Sequence, residues 1–194
     1  HRQVLFGEAD VGRPKVHAAA STLERMAPGV RCVLHEERLV PASARRLLEG
    51  YDLVVEGSDN FATKFLTADA CHLEGKPVVQ GAAVRWVGTA MAVGPAGGPC
   101  YRCLFEDIPP GRADSCAEAG VVGPMVGVVG ALLADLALAR LRGQARDGTL
   151  VRFDGRCLTT RTTVVAGRAS CALCGSDRRI LGIEAQRYTE PSCV

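Results

Sequence analysis

Four of the nine cysteines are spaced to hold a metal ion. They form two C-x-x-C pairs, Cys100 with Cys103 and Cys171 with Cys174. Two intervening residues place two sulfurs on one side of a tight turn, and two such turns supply the tetrahedral four-sulfur shell that zinc prefers. Because that shell leaves no position for water or substrate, we predict a structural Zn²⁺ site that fastens the end of the chain to the loop before Cys116. A redox pair and unrelated free thiols are the alternatives.

Cys116 has the sequence surroundings of a reactive thiol. It stands in a polar, charged segment ahead of an apolar run that begins at Val121. A thiol near a helix N-terminus has a lowered pKa, and a polar loop gives a partner access to it. On spacing alone, an incidental half-exposed thiol explains Cys116 at least as well. Three other cysteines fall within predicted strands or helices and are expected to be inert core thiols, namely Cys32, Cys71 and Cys157.

Asp59 directly follows the apolar segment 52–57, which is typical of a buried parallel strand. Open α/β sheets bind ligands beyond the carboxyl ends of their strands, and a carboxylate there can hold Mg²⁺ on the phosphates of a nucleotide. A helix cap is the alternative role, and Ser58 or Asn60 could supply the cap equally well. The residue pattern alone leaves the two readings of Asp59 open.

Two cations near the start of the chain, Arg2 and Lys15, are weaker candidates. A lysine in the first turn of a helix opposes the helix dipole, so its charge there is either functional or simply solvated. The glycine-rich stretches GPAGGP and GVVGPMVGVVG lack the G-x-G-x-x-G spacing of a phosphate-binding loop.

Apolar spacing predicts an α/β protein that forms one domain, residues 1–194. Strand, helix, strand, helix and strand alternate along the first half, which is the order of a layered sheet. Asp154 and Gly155 mark a hairpin between two later strands. Helices are predicted over 12–29, 41–50, 58–75 and 121–143, and strands over 30–35, 51–57, 76–84, within 85–93, and twice within 149–167.

The composition argues against several classes of protein. The formal charge is +2, from 23 basic and 21 acidic side chains, which is too balanced for a nucleic-acid or membrane partner. The apolar run 121–134 is interrupted by Pro124 and glycines and is shorter than a membrane span of ~20 residues, so we read it as a buried helix. No signal peptide is visible. Nine cysteines are an odd number, which a closed set of disulfides cannot use up, and in an intracellular chain the two C-x-x-C pairs favour metal binding over disulfides. We therefore expect a cytoplasmic protein.

Taken together, these motifs resemble the ThiF/MoeB/HesA family, the bacterial relatives of ubiquitin-activating enzymes. The resemblance rests on RQVLF and DVGRPK, SDNFATK, CYRCLF, SCAEAGVVGPMVGVVG, FDG and CALCG, in that order along nearly the whole chain. The fold it implies is a Rossmann-like layered α/β domain with a mixed sheet and a four-cysteine structural zinc site. The family is normally homodimeric.

The resemblance also implies an activity, the ATP-dependent adenylation of the C-terminal glycine of a ubiquitin-like sulfur-carrier protein in thiamin or molybdopterin cofactor biosynthesis. Asp59 falls on the family's Mg²⁺/ATP aspartate, and Asn60 belongs to the same motif. Arg2 and Lys15 fall on cations that would face the phosphates. Cys116 falls on a cysteine that forms a covalent acyl link with the carrier in some members. Sulfur would come from a separate donor protein.

Two departures from the family pattern are visible. The glycine-rich ATP loop, its ribose-binding acid and the arginine that a partner subunit inserts lie upstream of the R-Q motif with which this sequence starts. A second reading is therefore a catalytically incomplete, zinc-stapled module that binds a ubiquitin-like carrier or a homologous subunit. In addition, Lys64 occupies the arginine position of the family's D-N-x-x-x-R motif, which keeps the charge but loses the bidentate fork.

Overall fold

The computed structural model describes residues 2–109 and 119–189. The chain divides into two compact units, His1–Leu39 and Val40–Val194. The first unit contains a 3₁₀ helix, Glu8–Asp10, and helix α1, Lys15–Met26. Pro14 directly precedes α1, where its fixed φ and missing N–H suit the start of a helix. Within this unit, Thr22 Oγ1 donates to the carbonyl of Leu5 at 3.0 Å.

The strand predicted for residues 30–35 is wrong. These residues form no strand in the described part of the chain, and Val30 and Val33 are exposed. Their apolar, β-branched composition favours extended backbone, but a strand exists only where a neighbouring strand pairs with it.

The second unit is built on one mixed sheet of five strands in the order β1-β2-β3-β4-β5. The first two strands are parallel and are connected through helix α3 (Phe61–Leu73), whereas every later pair is antiparallel. This arrangement confirms the predicted α/β class and mixed sheet. The strands are β1 (Val54–Glu56), β2 (Val78–Val84), β3 (Val87–Val93), β4 (Thr149–Asp154) and β5 (Thr159–Val164).

The helices of the second unit begin and end at residues with clear local roles. Asn60 caps α3, because its Oδ1 accepts from the N–H of Thr63 at 2.8 Å. Pro124 stands in the first turn of α5, and Gly143, with φ of 69°, follows the end of that helix. The helices are α2 (Ala44–Leu48), α3 (Phe61–Leu73), α4 (Tyr101–Leu104) and α5 (Gly123–Leu141), with a 3₁₀ helix at Ala185–Tyr188.

The two faces of the sheet carry different helices. On one face, Val79, Ala90 and Ala92 form a core cluster with residues of α5. Gly81 and Gly88 share this face, and a Cβ atom at either would lie within 3 Å of Val129 or Leu133 of α5. Because strand side chains alternate, the residues between them, such as Gln80, point to the opposite face, where α3 lies. The sheet is therefore a middle layer between α5 and α3.

Helix α5 is buried on one face only. Its sheet-facing residues follow helical spacing, whereas Leu138 and Leu141 are exposed. The prediction of a buried helix therefore holds for one face of α5. By length and composition alone α5 could cross a membrane, a test that core helices of soluble proteins also pass. The buried residues are Met125, Val129, Leu133, Leu136 and Ala137.

The predicted hairpin around Asp154 and Gly155 is confirmed as the turn between β4 and β5. Gly155 donates its N–H to the carbonyl of Trp86 at 2.8 Å, and a Cβ atom at this position would lie 2.6 Å from the sulfur of Met125. Only glycine fits this approach without displacing its neighbours.

Candidate functional site

The turn between β1 and α3 places two polar residues with different roles. Asn60 is the helix cap. Asp59 is exposed and lines a cavity of about 250 Å³ on the α3 face of the sheet. Because Asn60 supplies the cap, the Asp59 carboxylate does not have to. This separation favours the ligand-binding reading of Asp59 over the capping reading.

A buried ion pair between Lys64 and Glu56 stabilises this turn. Lys64 Nζ lies 2.8 Å from Glu56 Oε2, and the two side chains are 7% and 4% exposed. Lys64 also donates to the carbonyl of Gly81, and the other Glu56 oxygen accepts from the N–H of Ser58. Buried charges are tolerated when they are paired and supported by further hydrogen bonds, as both are here. Glu56 thereby joins the end of β1, the turn and α3 into one unit.

Lys64 therefore has a local partner for its charge. Its ammonium group is compact and carries three N–H donors, of which Glu56 and Gly81 engage two. We interpret Lys64 as a residue that holds the Asp59 turn in place. Sequence reasoning missed Glu56. The available signal was an acidic residue at the end of an otherwise apolar strand, three positions before Asp59.

The cavity beside Asp59 is mostly apolar. Its floor is the α3 face of the sheet, and one wall is the segment that follows Cys100. The charged and amide side chains of the lining are Asp59, Asn60, Lys64 and Gln80, and of these Asp59 is exposed. The site therefore presents one charged, exposed end and an apolar interior. Its apolar lining comprises Phe61, Ala82, Val84, Met91, Tyr101, Leu104, Phe105 and Leu150.

The four paired cysteines come together as predicted. The Cys100 sulfur lies 3.9 Å from that of Cys103 and 3.5 Å from that of Cys171, and the Cys103 sulfur lies 3.4 Å from that of Cys174. All four sulfurs lie within 4.8 Å of one another. Sulfurs held ~2.3 Å from one tetrahedral ion would be roughly 3.8 Å apart, so the cluster has the dimensions of a four-thiolate metal shell.

The electrostatics of the cluster also fit a cation. Burial and the neighbouring thiols raise the pKa of Cys100. Burial also opposes ionisation of Cys171, but backbone hydrogen bonds from Cys174 and Leu173, together with side-chain hydrogen bonds from Cys100 and Cys174, outweigh it and lower its pKa to about 7. Four adjacent thiolates repel one another, so a bound cation is needed to keep all four ionised.

Arg102, between the first two cysteines, fixes their loop to α3. Its guanidinium donates to both oxygens of Asp69 at 2.9–3.1 Å, and Asp69 also accepts from the hydroxyl of Tyr188 at 2.9 Å. Arg102 is 2% exposed, Asp69 is fully buried, and the guanidinium packs on the ring of Phe65 at 4.8 Å. Since Tyr101 of the same loop lines the cavity, the cysteine cluster helps to position a cavity wall.

Comparison with known proteins identifies the family of this chain. The family model described as "ThiF family" matches residues 1–189. The chain belongs to the ThiF family. This membership confirms the resemblance drawn from the motifs.

Three relatives with names show which proteins this ThiF-family chain is similar to. It is 42% identical over 178 residues to "Adenylyltransferase and sulfurtransferase MOCS3" of Sus scrofa, covering 90% of this chain and 39% of that protein. It is 38% identical to the "SAMP-activating enzyme E1" of Haloferax volcanii and 41% identical to the "Sulfur carrier protein adenylyltransferase" of Thermus thermophilus. These two matches cover 100% and 95% of this chain and 72% of each relative. The chain thus spans about two-fifths of the length of the MOCS3 relatives.

Solved structures agree on the fold. Escherichia coli MccB in complex with MccA-N7isoASN superimposes with a TM-score of 0.77, over 90% of this chain and 56% of that chain, at 16% identity. The structure of E. coli MccB with ATP gives a TM-score of 0.74 over 90% and 54% of the two chains, also at 16% identity. At this identity the likeness concerns the fold alone, and it supports the predicted ThiF-like architecture.

The structure brings some predicted site residues together and leaves others separate. Asp59 and Asn60 share the turn beside the cavity. Arg2 and Lys15 lie in the first unit, so their approach to the Asp59 turn stays a prediction. Cys116 lies outside the described residues, and its predicted reactivity is likewise untested.

The expectation of inert core thiols holds for Cys71 but not for Cys157. Cys71 is buried, and burial raises its pKa to about 12. Cys157 is exposed, because it lies in the turn between β4 and β5 and not within a strand. Cys32 is half-buried and lies in the 30–35 segment that forms no strand.

Proposed function

We propose that this ThiF-family chain catalyses the ATP-dependent adenylation of the C-terminal glycine of a ubiquitin-like sulfur-carrier protein. The observation that carries the proposal is the exposed Asp59 carboxylate beside an apolar-walled cavity, with the neighbouring Asn60 acting as the helix cap. The names of the relatives from Haloferax volcanii and Thermus thermophilus support the same activity.

In the proposed reaction, a carboxylate oxygen of the carrier's terminal glycine attacks the α-phosphorus of ATP. A phosphorus–oxygen bond forms, the bond between the α- and β-phosphates breaks, and pyrophosphate leaves with the bonding electron pair. Mg²⁺, when bound, neutralises charge on the phosphates. Asp59 would hold that ion, and Asn60 would keep the turn in its helix-capping geometry. Catalysis here depends on positioning and on charge stabilisation.

Further site residues enter the proposal through the family resemblance. By that resemblance, Arg2 and Lys15 would face the phosphates. The thiolate of Cys116 would attack the carbonyl carbon of the acyl adenylate and release AMP, giving a thioester with the carrier. We further propose a separate sulfur donor, a homodimer, a cytoplasmic location, and a role in thiamin or molybdenum cofactor biosynthesis.

We propose zinc as the ion of the four-cysteine cluster. Tetrahedral four-sulfur shells suit zinc, and the sulfur spacing fits it. Cys100, Cys103, Cys171 and Cys174 would all be ligands, so the ion would have no open position for substrate. Its role would be to hold the loop after Cys100, and with it one wall of the cavity.

Exchange of radiolabelled pyrophosphate into ATP tests the proposed function. The purified protein is mixed with Mg²⁺, ATP and candidate ubiquitin-like carriers of the thiamin and molybdopterin types that end in Gly-Gly. We expect exchange that depends on the carrier and disappears when its last glycine is removed. Carrier binding without any exchange would instead support the catalytically incomplete binding module.

A further inference from the structure

Gln80 carries a buried oxygen that no group in the described part of the chain satisfies. It lies in the middle of β2 and is 3% exposed. Its Nε2 donates to the backbone carbonyl of Lys64 at 3.0 Å, which fixes the orientation of the amide. Its Oε1 is buried and has no hydrogen-bond partner within residues 2–109 and 119–189. Buried polar atoms are nearly always paired, so an unpaired one at a candidate site points to a missing donor.

The position of Gln80 shows where that donor would come from. Gln80 lines the cavity beside Asp59, on the face of the sheet opposite α5. Met91 lies opposite it on β3, and Val78 and Ala82 flank it on the same face of β2. None of these three side chains has a hydrogen-bond donor. The cavity lining does contain donors, on Asn60, Lys64, Thr89 and Tyr101, but none of them is hydrogen-bonded to Gln80 Oε1. A molecule that enters the cavity is therefore the available source of an N–H or O–H group.

We propose that Gln80 Oε1 accepts a hydrogen bond from a backbone N–H of the carrier's C-terminal tail, which makes Gln80 a specificity-determining residue. This inference rests on the proposed adenylation function. The reacting carboxylate must reach the Asp59 end of the cavity, so the residues just before it pass along the cavity floor. An extended peptide offers an N–H at each residue, and glycine lets its backbone approach closely because it has no Cβ.

The charge of the lining favours a neutral peptide over a nucleotide as the occupant beside Gln80. Among the described residues that line the cavity, the one cation is Lys64, and Glu56 already pairs with it. The remaining surface around Gln80 is largely apolar and suits an uncharged backbone. The amino group of adenine is the competing donor, and the experiment below separates the two.

A double-mutant cycle tests the hydrogen bond directly. Gln80→Met removes the acceptor at similar length, and a semisynthetic carrier whose terminal glycine is replaced by glycolic acid removes one tail N–H while keeping the carboxylate. A second carrier carries the same amide-to-ester change one residue earlier. We expect one of the esters to lower kcat/KM for the carrier roughly 10- to 100-fold in the wild-type protein and no more than about threefold in Gln80→Met, because a site built to bond an N–H rejects the analogue that lacks it.

Met91→Leu is the matched control, since Met91 shares the cavity and pairs with Gln80 across the sheet but makes no such bond. The ester penalty should persist in this variant. Thermal unfolding of all three proteins measures any loss of stability from losing the bond between Gln80 and Lys64. Loss of the hydrogen bond to the tail N–H alone would not change the stability of the free protein.

Two outcomes would overturn the inference. Equal ester penalties in the wild type and in Gln80→Met would show that Gln80 does not bind the tail. A raised KM for ATP in Gln80→Met, with an unchanged KM for the carrier, would assign the oxygen to adenine. The same double-mutant cycle is also measured on carrier affinity by calorimetry. The hydrogen bond can then be tested even if the protein shows no turnover. Coupling in affinity with no pyrophosphate exchange would contradict the proposed function and leave the role of Gln80 supported.

Discussion

Lys64 on α3 donates to Glu56 at the end of β1 across 2.8 Å, with both side chains almost completely buried. Glu56 in turn accepts from the N–H of Ser58, so the pair braces the turn that carries Asp59. This contact links a buried charge pair to the candidate catalytic carboxylate. It also explains how a lysine can occupy the arginine position of the family motif.

Removing Lys64 should destabilise the protein strongly. Lys64→Met leaves the Glu56 carboxylate buried without its cation, so we expect the free energy of unfolding to fall by about 3–5 kcal/mol. The double variant Glu56→Gln with Lys64→Met should lose much less, because no unpaired charge remains. Urea unfolding measures both. Arg45→Ala, which breaks an exposed ion pair with Glu74, is the control and should change stability by about 1 kcal/mol or less. If Lys64→Met lowered the free energy of unfolding as little as this control does, the buried-pair interpretation would be contradicted.

Substitution of Asp59 should affect activity, whereas substitution of Asn60 should affect stability. Asp59→Asn should leave the free energy of unfolding within about 0.5 kcal/mol of wild type but lower carrier-dependent pyrophosphate exchange by roughly 100-fold or more, since it removes the proposed Mg²⁺ ligand. Asn60→Ala should instead cost about 1 kcal/mol of stability, because the N–H of Thr63 loses its acceptor. Exchange assays and urea unfolding are done on both variants. Near-normal exchange by Asp59→Asn would refute the Mg²⁺ assignment.

The cysteine cluster should contain zinc. We expect about one zinc ion per chain by elemental analysis of the protein purified under reducing conditions. Cys171→Ser should lose the ion and lower the melting temperature, because removal of one of four ligands opens the shell. Cys157→Ser, which changes an exposed cysteine away from the cluster, should keep both. Full zinc content in Cys171→Ser would show that the cluster does not bind the ion.

Acidification should destabilise the fold partly through His72. Burial lowers the pKa of this imidazole below its ordinary value of 6.5, against the opposing effect of Asp69. As the pH falls below about 6.5, the unfolded chain takes up a proton that folded His72 resists, so the free energy of unfolding decreases. His72→Gln should show a shallower loss of stability than wild type between pH 7.5 and 5.5 in urea unfolding. Parallel pH profiles for the two proteins would exclude this role for His72.

Local signals in the sequence predicted the elements around the site. The capping residues 58–60 predicted the start of α3, and Asp154 with Gly155 predicted the β4–β5 hairpin. Turn and cap residues influence the backbone only within a few positions, so their structural effect can be predicted without knowledge of the fold. Strand pairing is different. Residues 30–35 have strand composition, but they form no strand in the described part of the chain, and composition alone cannot supply a neighbouring strand.

By itself, the sequence determined the α/β class, the two C-x-x-C pairs and the motif around Asp59, because each depends on spacing along the chain. The sequence also predicted that the two cysteine pairs meet, and the structure confirms it. Only the tertiary structure decided that Glu56 is the partner of Lys64, and that Gln80, in the cavity lining, has an oxygen with no partner among the described residues. Glu56 and Lys64 lie in different elements, β1 and α3, which packing brings together. A buried charge or amide takes whichever partner the packing brings within hydrogen-bond distance, and local residue patterns do not encode that choice.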